Sequence, residues 1–166
     1  MAKQKTLIIL RHAKAAGGAD DKARPLNERG IHEAEAMGKY LAAQNIRPDK
    51  IFSSTSVRTR ETWEHVRKHY KANPPVEYTD RLYLTSVNEM LQFIAALPDE
   101  LNNVMLIGHN PGLHELCIKL VRQGDDHARR QLAANFPPCA LAAITFDADS
   151  WANIGRGGRL VDFKVP

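Results

Sequence analysis

Residues 6–10 (TLIIL) and 104–107 (VMLI) are uninterrupted apolar runs, the first of them β-branched, in the pattern of strands buried on both faces of a sheet. Such strands need a helical layer on each side, and segments of helical period do alternate with strand-like segments along this chain. Asn27 caps a predicted helix over 28–44, in which Ile31, Ala34, Met37, Gly38, Leu41 and Ala42 recur at helical spacing. Strand 50–53 (KIFS), helix 57–70, strand 76–78, helix 87–97 and helix 113–122 complete the alternation, punctuated by Pro48, Pro74, Pro75 and Pro98. Residues 125–131 are charged and carry no readable period. Near the carboxyl end, 140–146 and 160–165 read as an antiparallel pair on one edge of the sheet, with 155–158 (GRGG) as a hairpin turn and no helix between 147 and 159. The expected fold class is α/β: a three-layer sandwich with a mostly parallel central sheet and an antiparallel edge.

A chain of 166 residues corresponds to one domain, 1–166. That size buries on the order of 70% of the unfolded surface, so neither disulfides nor a structural metal is needed. The two cysteines, Cys117 and Cys139, lie far apart outside any CxxC and read as reduced thiols. No apolar run approaches the roughly 18 residues of a bilayer span. The basic start MAKQK lacks a cleavage pattern, so it reads as the amino terminus rather than a signal, and a cytoplasmic location is expected. The net charge of +4 suits nucleic acid, an anionic membrane or an acidic small substrate and does not choose among them.

Position on the sheet is more selective than charge. Ligands of open α/β sheets bind beyond the carboxyl ends of the strands. There, Arg11 and His12 leave the first strand, residues 53–58 leave the second and His109 leaves the fourth. Two forked guanidiniums, two imidazoles and helix amino-terminal N–H groups suit a phosphoryl dianion better than a neutral ligand. Neutral imidazole, with an ordinary pKa of roughly 6.5, is also a competent phosphoryl acceptor. The polar loop 13–26, with Gly17, Gly18, Asp20 and Asp21, is longer than a plain connection needs and reads as a cover over a site.

LRHAK (10–14), SSTSVRTRET (53–62) and GHNPGL (108–113), in this order and spacing, resemble the histidine phosphatases, the phosphoglycerate mutase-like superfamily. Together with RPLNERG (24–30), they look most like the short bacterial phosphohistidine phosphatases of the SixA type. The resemblance implies a phosphoglycerate mutase-like fold, His12 as phosphorylated nucleophile, and Arg11, Arg58 and His109 as the phosphate pocket. It implies no metal and no cofactor. Asn110, Arg24 and Lys14 are added as candidate substrate contacts. The expected partner is a protein bearing phosphohistidine, or else a small phosphorylated substrate; neither nucleic acid nor membrane is expected.

Two positions depart from the family pattern. Ala13 replaces a glycine, and Leu84 stands where many members place a carboxylate that serves as general acid. An ordinary phosphoester expels an alkoxide and needs that proton, whereas a phosphohistidine protonated on its free ring nitrogen leaves as neutral imidazole. The substitution therefore biases the site toward phosphoramidates, with aryl and acyl phosphates satisfying the same chemistry, unless Glu61, Glu89 or Asp80 supplies a proton from another direction. A chain this short also leaves little room for a helical insertion over the pocket, so an open mouth is expected.

Other features carry blander readings. His65 and His69 have the i, i+4 spacing of zinc ligands but no obvious third partner, so they read as a solvated face. GRGG opens no helix and is not a dinucleotide loop, no GxxxxGK[ST] occurs, and Trp63 and Trp151 read as packing residues. The alternatives to a phosphohistidine phosphatase are a small-molecule phosphomonoesterase of the same superfamily and, outside enzymes, a phosphate or nucleic-acid binding module.

Overall fold

The computed structural model describes residues 3–166; the amino-terminal reading falls on Met1 and Ala2, outside the described residues. The elements run β1 (Gln4–Arg11), α1 (Glu28–Ala43), β2 (Lys50–Ser54), α2 (Val57–Arg67), β3 (Val76–Thr79), α3 (Val87–Ala95), β4 (Asn103–Gly108), α4 (Gly112–Leu120), β5 (Val121–Gly124), α5 (Asp126–Ala134), β6 (Leu141–Asp147) and β7 (Gly158–Lys164), with short 3₁₀ turns at Asp21–Ala23, Asp80–Leu82 and Trp151–Arg156. The strands form one sheet in the order β3-β2-β4-β1-β6-β7-β5. β1 pairs in parallel with β4, as β2 does with β4 and β3, and β1 pairs antiparallel with β6.

The apolar run in β1 is continuous because alternate side chains feed opposite layers. Ile8 and Leu10 pack with Met37 and Leu41 of α1 and Trp63 and Val66 of α2. Leu7 and Ile9 pack with Phe93 and Ile94 of α3 and Leu116 and Leu120 of α4. These are the two helical layers of the expected three-layer α/β sandwich, and the sheet is mostly parallel. α1 and α2 approach closely at Gly38, where a Cβ would lie 2.1 Å from the Val66 carbonyl oxygen.

Several boundaries differ from expectation. α2 ends at Arg67 rather than 70, its last residues passing into turns closed by His69 N–H to Val66 O and Tyr70 N–H to Arg67 O. The helix expected to 122 stops at Leu120, and β5 follows it without a gap. β5 pairs in parallel with β7, so the antiparallel pair β6 and β7 sits one strand in from the edge. Residues 125–131 are largely helical: Asp125 caps α5 by accepting from Ala128 N–H, but only Leu132 of that helix is buried, so no apolar stripe announced it. The segment 151–156 is a 3₁₀ turn rather than an irregular link, with Trp151 and Ile154 buried at the i, i+3 spacing such a turn presents. No helix among the described residues is long and apolar enough to cross a membrane.

Candidate active site

β1, β2 and β4 run in the same direction, so their carboxyl ends deliver Arg11, Ser54 and Gly108 to one rim, with His12 and His109 one residue further on. The backbone fixes both histidines: His12 N–H donates to Gly108 O at 3.1 Å, and Cys139 N–H donates to His12 O at 3.0 Å. The two imidazole centroids stand 5.3 Å apart. Arg58 arrives from the first turn of α2, whose cap Ser56 accepts from Thr59 N–H.

His12 carries its proton in a defined place. Its Nδ1 lies 2.7 Å from the Ala13 carbonyl oxygen, which only accepts, so Nδ1 is the donor and Nε2 keeps its lone pair. Thr62, fully buried, holds the same residue by its amide: its hydroxyl accepts from Ala13 N–H at 2.9 Å and donates to Arg58 O at 2.7 Å. One side chain of α2 therefore ties the backbone beside His12 to that of Arg58.

Burial, followed by the charges of Arg11, Arg58 and Arg24, pushes the His12 pKa down to about 4 against the raising effect of the Ala13 bond. His109 is pushed to about 3 by burial, then by His12 and Arg58. Both rings are neutral at pH 7. His109 Nε2 lies 2.8 Å from Ser54 Oγ, and Tyr83 packs edge-on against the ring at 5.5 Å. Burial and then Arg58 lower the Arg11 pKa, and the Arg11 guanidinium donates to Phe136 O at 3.1 Å.

Arg24 belongs to this field: it lowers the His12 pKa and donates to Ala16 O and to Asp21 Oδ1. Lys14 is exposed. Asn110 is held locally, donating to Phe136 O at 2.8 Å and accepting from His114 N–H at 3.3 Å. His65 and His69 both face Glu35, at 3.5 and 3.1 Å. Among the described residues no cluster of three or more His, Cys, Asp or Glu is arranged to hold a metal ion.

The mouth is not open as expected. His12, Arg58 and His109 are 8%, 3% and 5% exposed, and loop 13–26 covers Arg58 through Asp21. Asp21 on that loop accepts from Arg58, Arg24 and Tyr83, and these bonds, that of Tyr83 foremost, hold its carboxyl far below the ordinary range. Asp21, Tyr83, Ser54 and Thr62 are the site residues that sequence reasoning missed. The length of the loop was the available signal for the first of them.

The family model of the histidine phosphatase superfamily (branch 1) matches residues 7–83. A candidate phosphohistidine phosphatase SixA from Agrobacterium tumefaciens is 33% identical, with a TM-score of 0.82 over 98% of each chain. Another, from Nakamurella multipartitia, is 29% identical, with a TM-score of 0.87 over 99% of this chain and 98% of that one. Phosphohistidine phosphatase SixA of Escherichia coli is 26% identical over 144 residues, covering 85% of both proteins. On this likeness of sequence and fold along nearly its whole length, the chain belongs to the histidine phosphatase superfamily, in its SixA-type branch, and is a histidine-type phosphatase.

Proposed function

We propose that this chain dephosphorylates phosphohistidine on a partner protein through a phosphorylated His12, with residues 1–166 acting as one catalytic domain. The observation that carries the reading is the His12 ring, whose Nδ1 donates to Ala13 O and leaves an unprotonated Nε2 among Arg11, Arg58 and Arg24. Nε2 attacks phosphorus in line while Arg11 and Arg58 hold the equatorial oxygens and neutral His109 stands on the other flank. The P–N bond of the substrate breaks, and its imidazole leaves. Water then attacks the phosphoryl group on His12. Because Nδ1 keeps its proton, His12 departs as neutral imidazole, and both protons of the water stay with the phosphate.

The carboxylates around the pocket favour a leaving group that needs no proton. Asp21 is held as an anion by Tyr83, Arg58 and Arg24. Asp80 accepts from Lys22 and Thr55, which lower its pKa. Glu61 accepts from Leu26 N–H, and Glu89 from the Thr85 hydroxyl. Leu84, where an acid would stand, is 56% exposed beside a cavity of about 270 Å³ that also borders Thr85, Asn110, Pro111 and His109.

The test is incubation with a phosphohistidine protein and, separately, an aryl phosphate, trapping acid-labile enzyme phosphate with His12→Ala as control. Labelling of the wild type only, with faster turnover of the phosphohistidine protein, is expected. Labelling by the aryl phosphate alone leaves the mechanism and points to a small phosphomonoester. No His12-dependent label with either points to a binding module.

A further inference from the structure

Arg58 is already occupied. Its side chain is 4% exposed, one terminal nitrogen donates to the Asp21 carbonyl at 2.6 Å, and the other donates to Asp21 Oδ2 at 3.0 Å. Both terminal nitrogens of the fork that would grip a phosphoryl group in a bidentate manner are thus taken by Asp21. A phosphoryl dianion brought to the same fork meets the carboxylate at a few ångströms, in a recessed site where like charges are poorly screened.

The segment that carries Asp21 is built to leave. Its base is pinned by the Ala15–Leu26 bridge and the Ala16 N–H to Pro25 O bond. Beyond that base, residues 17–20 are exposed, and the 3₁₀ turn Asp21–Ala23 buries no side chain. What holds the segment down is polar: Asp21 with Arg58 and Tyr83, and Lys22 with Asp80 at 2.8 Å, the last pair 47% and 75% exposed. The exposed Lys22–Asp80 pair contributes little and the turn buries no apolar side chain, so the bonds of Asp21 to Arg58 and Tyr83 carry the hold, and a ligand that takes Arg58 removes the main one. Closed, the arrangement also leaves two buried atoms of the pocket, Arg11 Nε and His109 Nδ1, without a partner among the described residues.

We propose that Asp21 is an internal competitor for the phosphoryl site. Its carboxylate and carbonyl hold Arg58, and an incoming phosphoryl dianion takes Arg58 as residues 17–23 lift. Asp21 thereby sets how tightly the pocket keeps inorganic phosphate, the product whose release frees the enzyme. The inference rests on Arg58 as a phosphoryl ligand, but not on the identity of the leaving group.

The experiment measures inorganic phosphate on wild type, Asp21→Asn, Tyr83→Phe and Arg58→Ala, by calorimetry and as a competitive inhibitor of aryl phosphate turnover, with thermal unfolding of each variant. Asp21→Asn is expected to bind phosphate about tenfold more tightly, the scale of one charge-assisted contact to a half-exposed carboxylate. Tyr83→Phe, which frees the carboxylate from one donor, is expected to shift in the same direction by less, and Arg58→Ala to lose phosphate binding. A merely structural Asp21 predicts the opposite sign, because a disordered Arg58 weakens the anion. Phosphate affinity unchanged or weakened in a folded Asp21→Asn therefore overturns the proposal while leaving the phosphohistidine reading intact. Phosphate binding that survives Arg58→Ala removes the premise of the site and the proposal with it.

Discussion

Thr62→Val tests whether the nucleophile is aimed from α2. Valine conserves the volume of a fully buried side chain and removes the hydroxyl that accepts from Ala13 N–H and donates to Arg58 O. The Ala13 amide then has no partner in the interior, a loss of about 1–3 kcal/mol. At about 2–4 °C per kcal/mol for a chain of this size, the middle of that range lowers Tm by about 4–8 °C. The kinetic effect is separate. The Ala13 carbonyl, across the Cα from that amide, accepts the His12 Nδ1 proton, so when the amide is released Ala13 shifts and the ring is no longer held for in-line attack. A displacement of about 1 Å at Nε2 slows phosphorylation roughly 10–100-fold. The assay is single-turnover transfer from an aryl phosphate to His12, beside thermal unfolding, with Thr62→Ser as the variant that restores both. A Thr62→Val protein that loses stability but phosphorylates His12 at the wild-type rate would refute the reasoning, since Ala13 would then be placed by something else.

The neutral imidazole of His12 sets a pH profile: corrected for substrate ionisation, kcat/KM for an aryl phosphate stays level through pH 6.5 and falls only towards about 4, where an unperturbed histidine would already have halved it near 6.5. Both site histidines have depressed pKa values, so the unfolded chain binds more protons below its own pKa; stability is full above about pH 6.5 and declines on acidification through about 4 and about 3, as urea titrations at stepped pH will register. Gly38→Ala drives a methyl group into the Val66 carbonyl and should cost about 1–3 kcal/mol in urea unfolding, with no change expected if α1 and α2 can separate freely. Cys117 and Cys139 are buried with thiol pKa values pushed up by burial, Cys139 to about 12, so a thiol reagent should label neither in the native protein and both after denaturation.

Much of the framework was legible because it is written in local pattern. The runs in β1 and β4 are apolar on both faces, Asn27 caps α1, and the chemistry-bearing residues lie at or just beyond strand ends, so Arg11, His12, Arg58 and His109 could be located before any contact was known. What escaped depends on partners distant in sequence. β5 (VRQG) has neither alternation nor apolar content and is a strand because β7 lies beside it. α5 buries one leucine, too little for a stripe. Asp21 is legible only as part of a loop over the site, and the fold alone brings Arg58 and Tyr83, 37 and 62 residues later, onto its carboxylate. Thr62 looks like any helical threonine until Ala13 is seen against it.

The central place of β1 has a consequence for how the protein is made. The first strand to leave the ribosome finds its parallel neighbour only at residue 103 and its antiparallel one only at residue 141. At roughly 5–20 residues per second, TLIIL waits several seconds for its first partner and longer for its second. Through that interval it is an unpaired β-branched segment of the kind that seeds aggregation, and only three residues of β1, Gln4 and Lys5 before it and Arg11 behind it, flank it with polarity. Nascent chains arrested before β6 should therefore carry His12 and both arginines yet remain inactive and dependent on chaperones, whereas a circular permutant that begins near β4 would shorten the wait.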